Sequence, residues 1–112
     1  FSARLNKDTR KILREIGKLA QKSNLVIVVI GHTDDFPVHT EKYDSNWELS
    51  TARAAAVAQV LISESGVEPE RVVVAGRSMY EPILPNNSEA NRARNRRVEI
   101  ILNREGLEIY EE

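Results

Sequence analysis

Cysteine, net charge and long apolar runs are all scarce here, and each shortage excludes a class of function. None of the 112 residues is cysteine, so thiol catalysis, zinc–thiolate sites and disulfide bonds are excluded. The formal net charge is −1, whereas a domain that binds nucleic acid through electrostatics alone is usually strongly basic. We therefore expect no nucleic-acid partner.

The longest uninterrupted apolar run is residues 25–30. It is far shorter than the ~20 residues that a membrane-spanning helix needs. No signal peptide is recognisable, and the sequence opens abruptly at Phe1. We expect residues 1–112 to form a single domain that is part of a longer chain.

Two stretches have the apolar spacing of amphipathic helices. The first covers residues 7–23, and the residues that we expect to face inward are Ile12, Leu13, Ile16, Leu19 and Ala20. The second covers residues 45–64. Ser45 and Glu48 have the spacing of a capping box at its start, and Gly66 is a typical helix stop. The sequence therefore predicts two helices of several turns each.

Strand patterns alternate with these helices. Residues 25–30 and 71–75 are β-branched runs, typical of strands that are covered on both faces. Residues 96–103 alternate between two faces, residues 1–5 fit a first strand, and residues 88–95 fit a short helix. The order β-α-β-α-β-(short α)-β predicts an α/β fold of the two-layer α+β sandwich type, with two helices packed on one face of a small mixed sheet.

The segment GHTDDFPV, residues 31–38, follows a predicted buried strand directly. Carboxylates at a strand end cost free energy unless solvent, a cation or a ligand meets them. Arg53 lies two turns inside the second helix and can approach Asp34 at the carboxyl end of the strand, where open α/β sheets place ligand crevices. Two interpretations stay open: a structural salt bridge, or a two-pole site in which Asp34 binds an ammonium group and Arg53 binds a carboxylate.

Metal binding is an alternative for the same segment, with His32, Asp34, Asp35 and His39 as the possible ligands. Their spacing matches neither a helical histidine pair nor a fixed turn. We instead interpret His32 as a packed or hydrogen-bonded residue and Asp35 as a turn cap, and we expect no metal. There is no GxSxG elbow or phosphate loop, so we expect no catalytic residue and no cofactor.

The basic run NRARNRR, residues 91–97, is open to three interpretations. As a nucleic-acid patch it lacks aromatic partners and basic surroundings. As a structural feature it flanks a strand and is mostly solvated. In the third interpretation, one or two of its arginines reach the crevice beside Asp34.

Three motifs occur in order: GHTD at residues 31–34, NxxLSxxRAxxVxxxL at residues 46–61, and NRRVEI at residues 95–100. Together they resemble the OmpA-like peptidoglycan-binding domain and span most of the chain. Within that family, GHTDDFPV, the insert at residues 38–44 and SNWELS at residues 45–50 are similar to the periplasmic domains of the flagellar motor protein MotB.

The resemblance implies a β-α-β-α-β-β sandwich that holds the stem peptide of the cell wall. In the family, the aspartate of GHTD takes the amino group of diaminopimelate, and the arginine of LSxxRA takes its carboxylate. Those positions are Asp34 and Arg53 here. The other matching positions that the resemblance assigns to binding are Thr33, Asn46, Leu49, Arg92 and Arg96. We interpret Trp47 as an aromatic anchor that packs the insert onto the helix.

The resemblance also implies partners and a location. The partners are peptidoglycan, a second copy in a homodimer, and a MotA-like stator subunit reached through an N-terminal membrane segment. The location is the periplasm, as a domain of a bacterial inner-membrane protein. One alternative is a generic OmpA/Pal-type tether between outer membrane and wall. A less favoured alternative is a metal-dependent cell-wall hydrolase that uses His32, Asp34, Asp35 and His39.

Overall fold

The computed structural model describes residues 7–22 and 24–103. The elements are α1 Lys7–Gln21, β1 Val26–Gly31, α2 Asn46–Ser65, a 3₁₀ turn Pro69–Arg71, β2 Val72–Gly76, α3 Glu89–Asn95 and β3 Val98–Asn103. The predicted types and order are confirmed for these elements, whereas the predicted first strand at residues 1–5 lies outside the described residues. None of the described helices combines the length and apolarity needed to cross a bilayer.

The sheet is mixed and has the strand order β2-β1-β3 in the described residues. β1 runs parallel to β2, with Val29 beside Val74, and antiparallel to β3, with Val29 opposite Ile100. In β3, Val98, Ile100 and Leu102 lie opposite Gly31, Val29 and Ile27 of β1, so these three residues share one face as predicted. Val98 and Ile100 pack against the core, whereas Leu102 is 41% exposed.

Helix α2 covers the sheet, and α1 packs chiefly against α2. The two helices and the sheet enclose one main core, whose fully buried members include Ile27, Val29, Ala54 and Leu61. Burying apolar surface of this kind stabilises the fold by about 25 cal/mol per Å² removed from water. The prediction of a two-layer α+β sandwich with a small mixed sheet is therefore confirmed.

The buried face of α1 is narrower than predicted. Leu13, Gly17 and Ala20 are buried, whereas Ile12 and Leu19 are 60% and 69% exposed, so the prediction that these two face inward is wrong. Gly17 lets the helices approach closely: a Cβ at this position would lie 2.2 Å from the Cβ of Ser65 on α2. A close contact along one stripe leaves the flanking apolar residues of α1 in solvent.

The ends of α2 are fixed as the sequence predicts. The Ser45 hydroxyl accepts a hydrogen bond from the Trp47 amide (3.1 Å) and donates one to the Glu48 carboxylate. That hydrogen bond from Ser45 holds the pKa of Glu48 below its usual value. Gly66 ends the helix in the left-handed conformation, at φ 71°.

Helix α2 also touches the carboxyl ends of the two parallel strands. A Cβ on Gly31 would lie 1.9 Å from the carbonyl oxygen of Ser50, and a Cβ on Gly76 would lie 2.6 Å from the Ser50 hydroxyl. Only glycine permits this approach. The contact brings the first turns of α2, including Arg53, to the end of β1 where the candidate site lies.

Candidate functional site

The residues after β1 stay tied to the neighbouring chain segments. The amide of His32 donates to the carbonyl of Arg97 (2.8 Å), and the amide of Thr33 donates to the carbonyl of Ser78 (2.9 Å). These hydrogen bonds extend the order of the sheet beyond its last paired residues. Asp34, the next residue, is therefore held in a fixed place at the sheet's end.

The carboxylate of Asp34 is almost fully buried, with 5% of the residue exposed. Its Oδ1 accepts a hydrogen bond from the amide of Phe36 (3.0 Å), and its Oδ2 accepts one from Nη1 of Arg96 (2.7 Å). Nη2 of Arg96 donates to Oε1 of Glu89 (2.8 Å). The hydrogen bonds from Arg96 to Asp34 and to Glu89 raise the pKa of Arg96.

Arg53 lies beside the same carboxylate and is partly buried. Its Nη1 donates to the carbonyl of His32 (3.2 Å). Burial, followed by the nearby charge of Arg96, lowers the pKa of Arg53, while Asp34 and Tyr43 act in the opposite direction. Two guanidinium groups, those of Arg53 and Arg96, and two carboxylates, those of Asp34 and Glu89, thus meet at the site.

The geometry bears on the salt-bridge interpretation of Asp34, and the two-pole site stays a prediction. Asp34 does form a salt bridge, but the recorded partner is Arg96, from the basic run, while Arg53 interacts with it electrostatically. The third interpretation of the basic run, in which one of its arginines reaches the crevice, therefore describes Arg96. The structure brings together Asp34, Arg53 and Arg96.

Thr33 and Asn46 lie next to this group but are buried. The Thr33 hydroxyl donates to the carbonyl of Asp34 (2.9 Å), and Nδ2 of Asn46 donates to the carbonyls of Asp34 (3.4 Å) and Phe36 (3.1 Å). In the part of the chain that the structure describes, the Oδ1 atom of Asn46 is buried without a hydrogen-bond partner. Both side chains hold the loop that presents Asp34, and their contact with a ligand stays a prediction.

The insert is attached to α2 by a small core of its own. This core contains the buried side chains of Val38, Tyr43 and Leu49. Leu49 therefore packs the insert onto α2, and its contact with a ligand also stays a prediction. Trp47 is 47% exposed and its ring lies 5.5 Å from that of Tyr80. The interpretation of Trp47 as the anchor of the insert is wrong, because Tyr43 makes that contact.

Arg92 lies on the outer side of the loop. Its Nε donates to Oδ1 of Asp35 (2.9 Å), its Nη2 donates to the carbonyl of Asn86 (3.0 Å), and its guanidinium lies 5.2 Å from the ring centre of Phe36. The predicted turn-capping role of Asp35 is wrong: Asp34 accepts the turn's hydrogen bond, and Asp35 pairs with Arg92. Arg92 therefore holds the loop from outside.

His32 is 1% exposed. Its Nε2 lies 3.1 Å from Oε1 of Glu99, but the two are not aligned as a hydrogen bond, and neither ring nitrogen has a hydrogen-bond partner among the described residues. Burial, followed by the charge of Arg97, lowers the pKa of His32. In residues 7–22 and 24–103 no three histidine, aspartate or glutamate side chains converge as metal ligands would, so His32, Asp34, Asp35 and His39 do not form the alternative metal centre.

Sequence reasoning missed two residues that shape the site. Asn95 is fully buried, and its side chain accepts from the amides of Ile83 (2.9 Å) and Leu84 (3.2 Å), which fixes the loop before α3. Its place in the NRRVEI motif was the available signal. Ser78 has a positive φ of 55° and its amide donates to the Ser50 hydroxyl (3.1 Å). Nothing in the sequence indicates that left-handed conformation.

The sequence model of the OmpA family matches residues 2–96. The chain therefore belongs to the OmpA family. Among curated proteins, Motility protein B of Helicobacter pylori strain J99 is 37% identical over 98 residues, which are 86% of this chain and 38% of that protein. Outer membrane protein A of Bordetella avium is 38% identical over 97 residues, 86% of this chain and 47% of that protein. The chain thus spans less than half the length of these relatives.

Solved structures agree with this assignment. The C-terminal domain of Helicobacter pylori MotB has a TM-score of 0.84 and 36% identity, covering 91% of this chain and 78% of that one. The cell wall anchor of the T6SS from Pseudomonas aeruginosa has a TM-score of 0.82 and 40% identity, covering 92% of this chain and 71% of that one. Within the OmpA family, the chain is therefore similar to MotB periplasmic domains in both sequence and fold.

Proposed function

We propose that this domain binds peptidoglycan without catalysis, by holding the diaminopimelate of the stem peptide. Asp34 receives the ammonium group of the ligand, Arg53 receives its carboxylate, and Arg96 orients Asp34. Thr33, Asn46 and Leu49 keep the loop in place, and Arg92 braces it from outside. Membership of the OmpA family and the similarity to a cell wall anchor support this proposal.

The observation that carries the proposal is the buried Asp34 carboxylate beside two guanidinium groups. A guanidinium group presents a planar fork of N–H donors, which suits an incoming carboxylate at Arg53. Each oxygen of a carboxylate has two lone pairs, so Asp34 can accept a further hydrogen bond from an ammonium group. A zwitterion with both groups on one carbon matches this pattern of charges.

Binding at a site of this size should be weak. Each charge-assisted contact contributes about 1.5–3 kcal/mol, and the loss of ligand freedom opposes them. A dissociation constant near ~1 mM corresponds to about 4 kcal/mol. We therefore expect single-site affinities in the millimolar range, with firm attachment coming from repetition along the wall.

Substitution of Arg53 is the main test. Arg53→Gln removes the charge and keeps a side chain of similar volume at the partly buried position, so we expect loss of co-sedimentation with purified peptidoglycan. Arg77→Gln is the matched control, because the Arg77 guanidinium pairs with Glu81 (3.3 Å) rather than with Asp34. Circular dichroism verifies that both variants are folded. Undiminished co-sedimentation of folded Arg53→Gln would rule out the proposed carboxylate contact.

A titration with free diaminopimelate locates the site independently. We expect amide resonances of residues 33–53 to shift in the wild-type protein, and these shifts to be lost in Asp34→Asn. Shifts confined to residues 91–97 would move the binding site to the basic run and refute the assignment of Asp34.

Within this function, we propose a periplasmic anchor for a flagellar motor stator, acting as a homodimer and joined to a MotA-like subunit through a membrane segment. The similarity to Motility protein B and to MotB domain structures supports it. The similarity to outer membrane protein A supports the alternative of an outer-membrane tether. The membrane attachment of the full-length protein distinguishes them: one membrane span carrying an aspartate indicates a stator, while a lipidated cysteine or a barrel indicates a tether.

A further inference from the structure

A second concave surface lies beside the Asp34 site. It is a hollow of about 270 Å³ between the insert, the start of α2 and the loop after β2. Pro37, Asn46, Trp47, Ser78, Met79 and Tyr80 are among the residues that line it. All of its lining residues are uncharged, in contrast with the charged group around Asp34. A ligand in this hollow needs apolar surface and neutral hydrogen-bonding groups.

The wall of the hollow includes two exposed aromatic rings. Trp47 and Tyr80 are 47% and 57% exposed, and their ring centres lie 5.5 Å apart with an angle of 31° between the planes. Large aromatic side chains that remain exposed side by side commonly mark a surface for another molecule. Each ring offers a flat apolar face, and the indole N–H and the phenol add polar groups at the edge.

The hollow is continuous with the Asp34 site. Asn46 lines the hollow, and its Nδ2 also holds the carbonyl of Asp34 (3.4 Å). Ser78 lines it as well, and its carbonyl accepts a hydrogen bond from the amide of Thr33 (2.9 Å). A molecule that fills the hollow is therefore a neighbour of whatever binds Asp34, so one polymer can occupy both.

We propose that this hollow is a subsite for a sugar of the wall's glycan strand, an N-acetylated pyranose that stacks on Trp47 and Tyr80. This inference rests on the proposed function, which places a stem peptide at Asp34. A pyranose ring presents an apolar face of C–H groups to an aromatic ring, and its amide and hydroxyl groups suit neutral partners. The free end of a second stem peptide would instead bring a carboxylate, and the lining residues supply no cation for it.

Trp47 makes the test direct, because the chain contains one tryptophan. The probe is the β-1,4-linked tetramer of N-acetylglucosamine, which carries no peptide. We expect it to produce a saturable change in Trp47 fluorescence and shifts in the amide resonances around Trp47 and Tyr80. Tyr80→Ala should weaken this binding about three- to tenfold through loss of the stacking face. Tyr80→Phe keeps the ring and should stay within about twofold of the wild type.

Diaminopimelate, titrated into the same samples, separates the two proposals. A tetramer that leaves Trp47 unchanged while diaminopimelate still shifts the Asp34 resonances would overturn the sugar subsite and leave the proposed function standing. Equal tetramer binding by the wild type and by Tyr80→Ala would also refute the subsite. The same holds if a peptide fragment without sugar changes the Trp47 fluorescence and the tetramer does not. A failure of diaminopimelate alone would refute the stem-peptide site instead.

Discussion

Arg96 holds two carboxylates at once, and they differ in their surroundings. Asp34 is buried, whereas the Glu89 side chain is 70% exposed and begins the short helix α3. A ligand carboxylate that enters beside Arg53 and Arg96 meets a guanidinium already occupied by Glu89. In the proposed binding mode, Glu89 therefore competes with the ligand carboxylate for Arg96.

Removal of that competitor should tighten binding. We expect Glu89→Gln to lower the dissociation constant for diaminopimelate by about two- to fivefold, since an exposed ion pair contributes about 0.2–1 kcal/mol. The measurement is an NMR titration at low ionic strength. Glu81→Gln removes the same charge from the Arg77 pair and should leave the affinity unchanged. Weaker or equal binding by Glu89→Gln would show that Glu89 does not oppose the ligand.

For single residues, the sequence predicts which charged side chains lie near Asp34 better than it predicts which of them pair. The proximity of Asp34 and Arg53 follows from local facts, namely a strand end and a helix that packs on that strand. The pairing of Arg96 with Asp34, and of Asp35 with Arg92, depends on where α3 and β3 meet the loop. Two adjacent aspartates look alike in sequence, and contacts across about 60 positions along the chain decide which one is buried.

Among the elements, α1 shows what an apolar pattern can and cannot specify. Helical periodicity identifies the side of the helix that faces the protein, and Leu13 and Ala20 are buried as expected. It does not specify the width of the contact. That width depends on the partner helix, where Ser65 meets Gly17 closely enough to keep the flanking Ile12 and Leu19 in solvent.

The contact between Gly17 and Ser65 gives a prediction with opposing terms. Alanine is favoured over glycine inside a helix by about 1 kcal/mol. However, the added Cβ would lie 2.2 Å from the Cβ of Ser65, and overpacking of this kind costs about 1–3 kcal/mol. We expect Gly17→Ala to lower the free energy of unfolding in urea by up to about 2 kcal/mol.

A second substitution tests the cause. In the double variant Gly17→Ala/Ser65→Gly, the Cβ is moved from one helix to the other, so the clash is absent. We expect the free energy of unfolding of the double variant to be close to that of the wild type. Its loss should be smaller than the sum of the losses in the two single variants. Additive losses would mean that the helices do not meet at this pair.

For the whole molecule, the pattern of residues predicts the architecture well. β1 is the central described strand, as its continuous β-branched run indicates, and the alternating β3 pairs with it antiparallel. Helix α2 both packs on the sheet and contributes residues to the site. Its apolar side covers the core, and its first turns carry Asn46 and Arg53 to the end of β1. The remaining sheet order depends on long-range pairing that no local pattern encodes.

The same architecture places the proposed site at one end of one small domain, so we expect firm attachment to the wall to need more than one copy. Peptidoglycan repeats its stem peptides, and a second linked site binds at an effective concentration that can raise avidity by about 10²–10⁴. We expect a fusion of this domain to a parallel dimeric coiled coil to co-sediment with peptidoglycan at concentrations where the unfused domain stays in solution. Free diaminopimelate should bind each domain of the fusion as weakly as the single domain. The same fusion carrying Arg53→Gln is the control, and its dimerisation should not increase co-sedimentation. Equal retention of the single and dimeric wild-type proteins would mean that one copy suffices, and the predicted homodimer would then lose its physical reason.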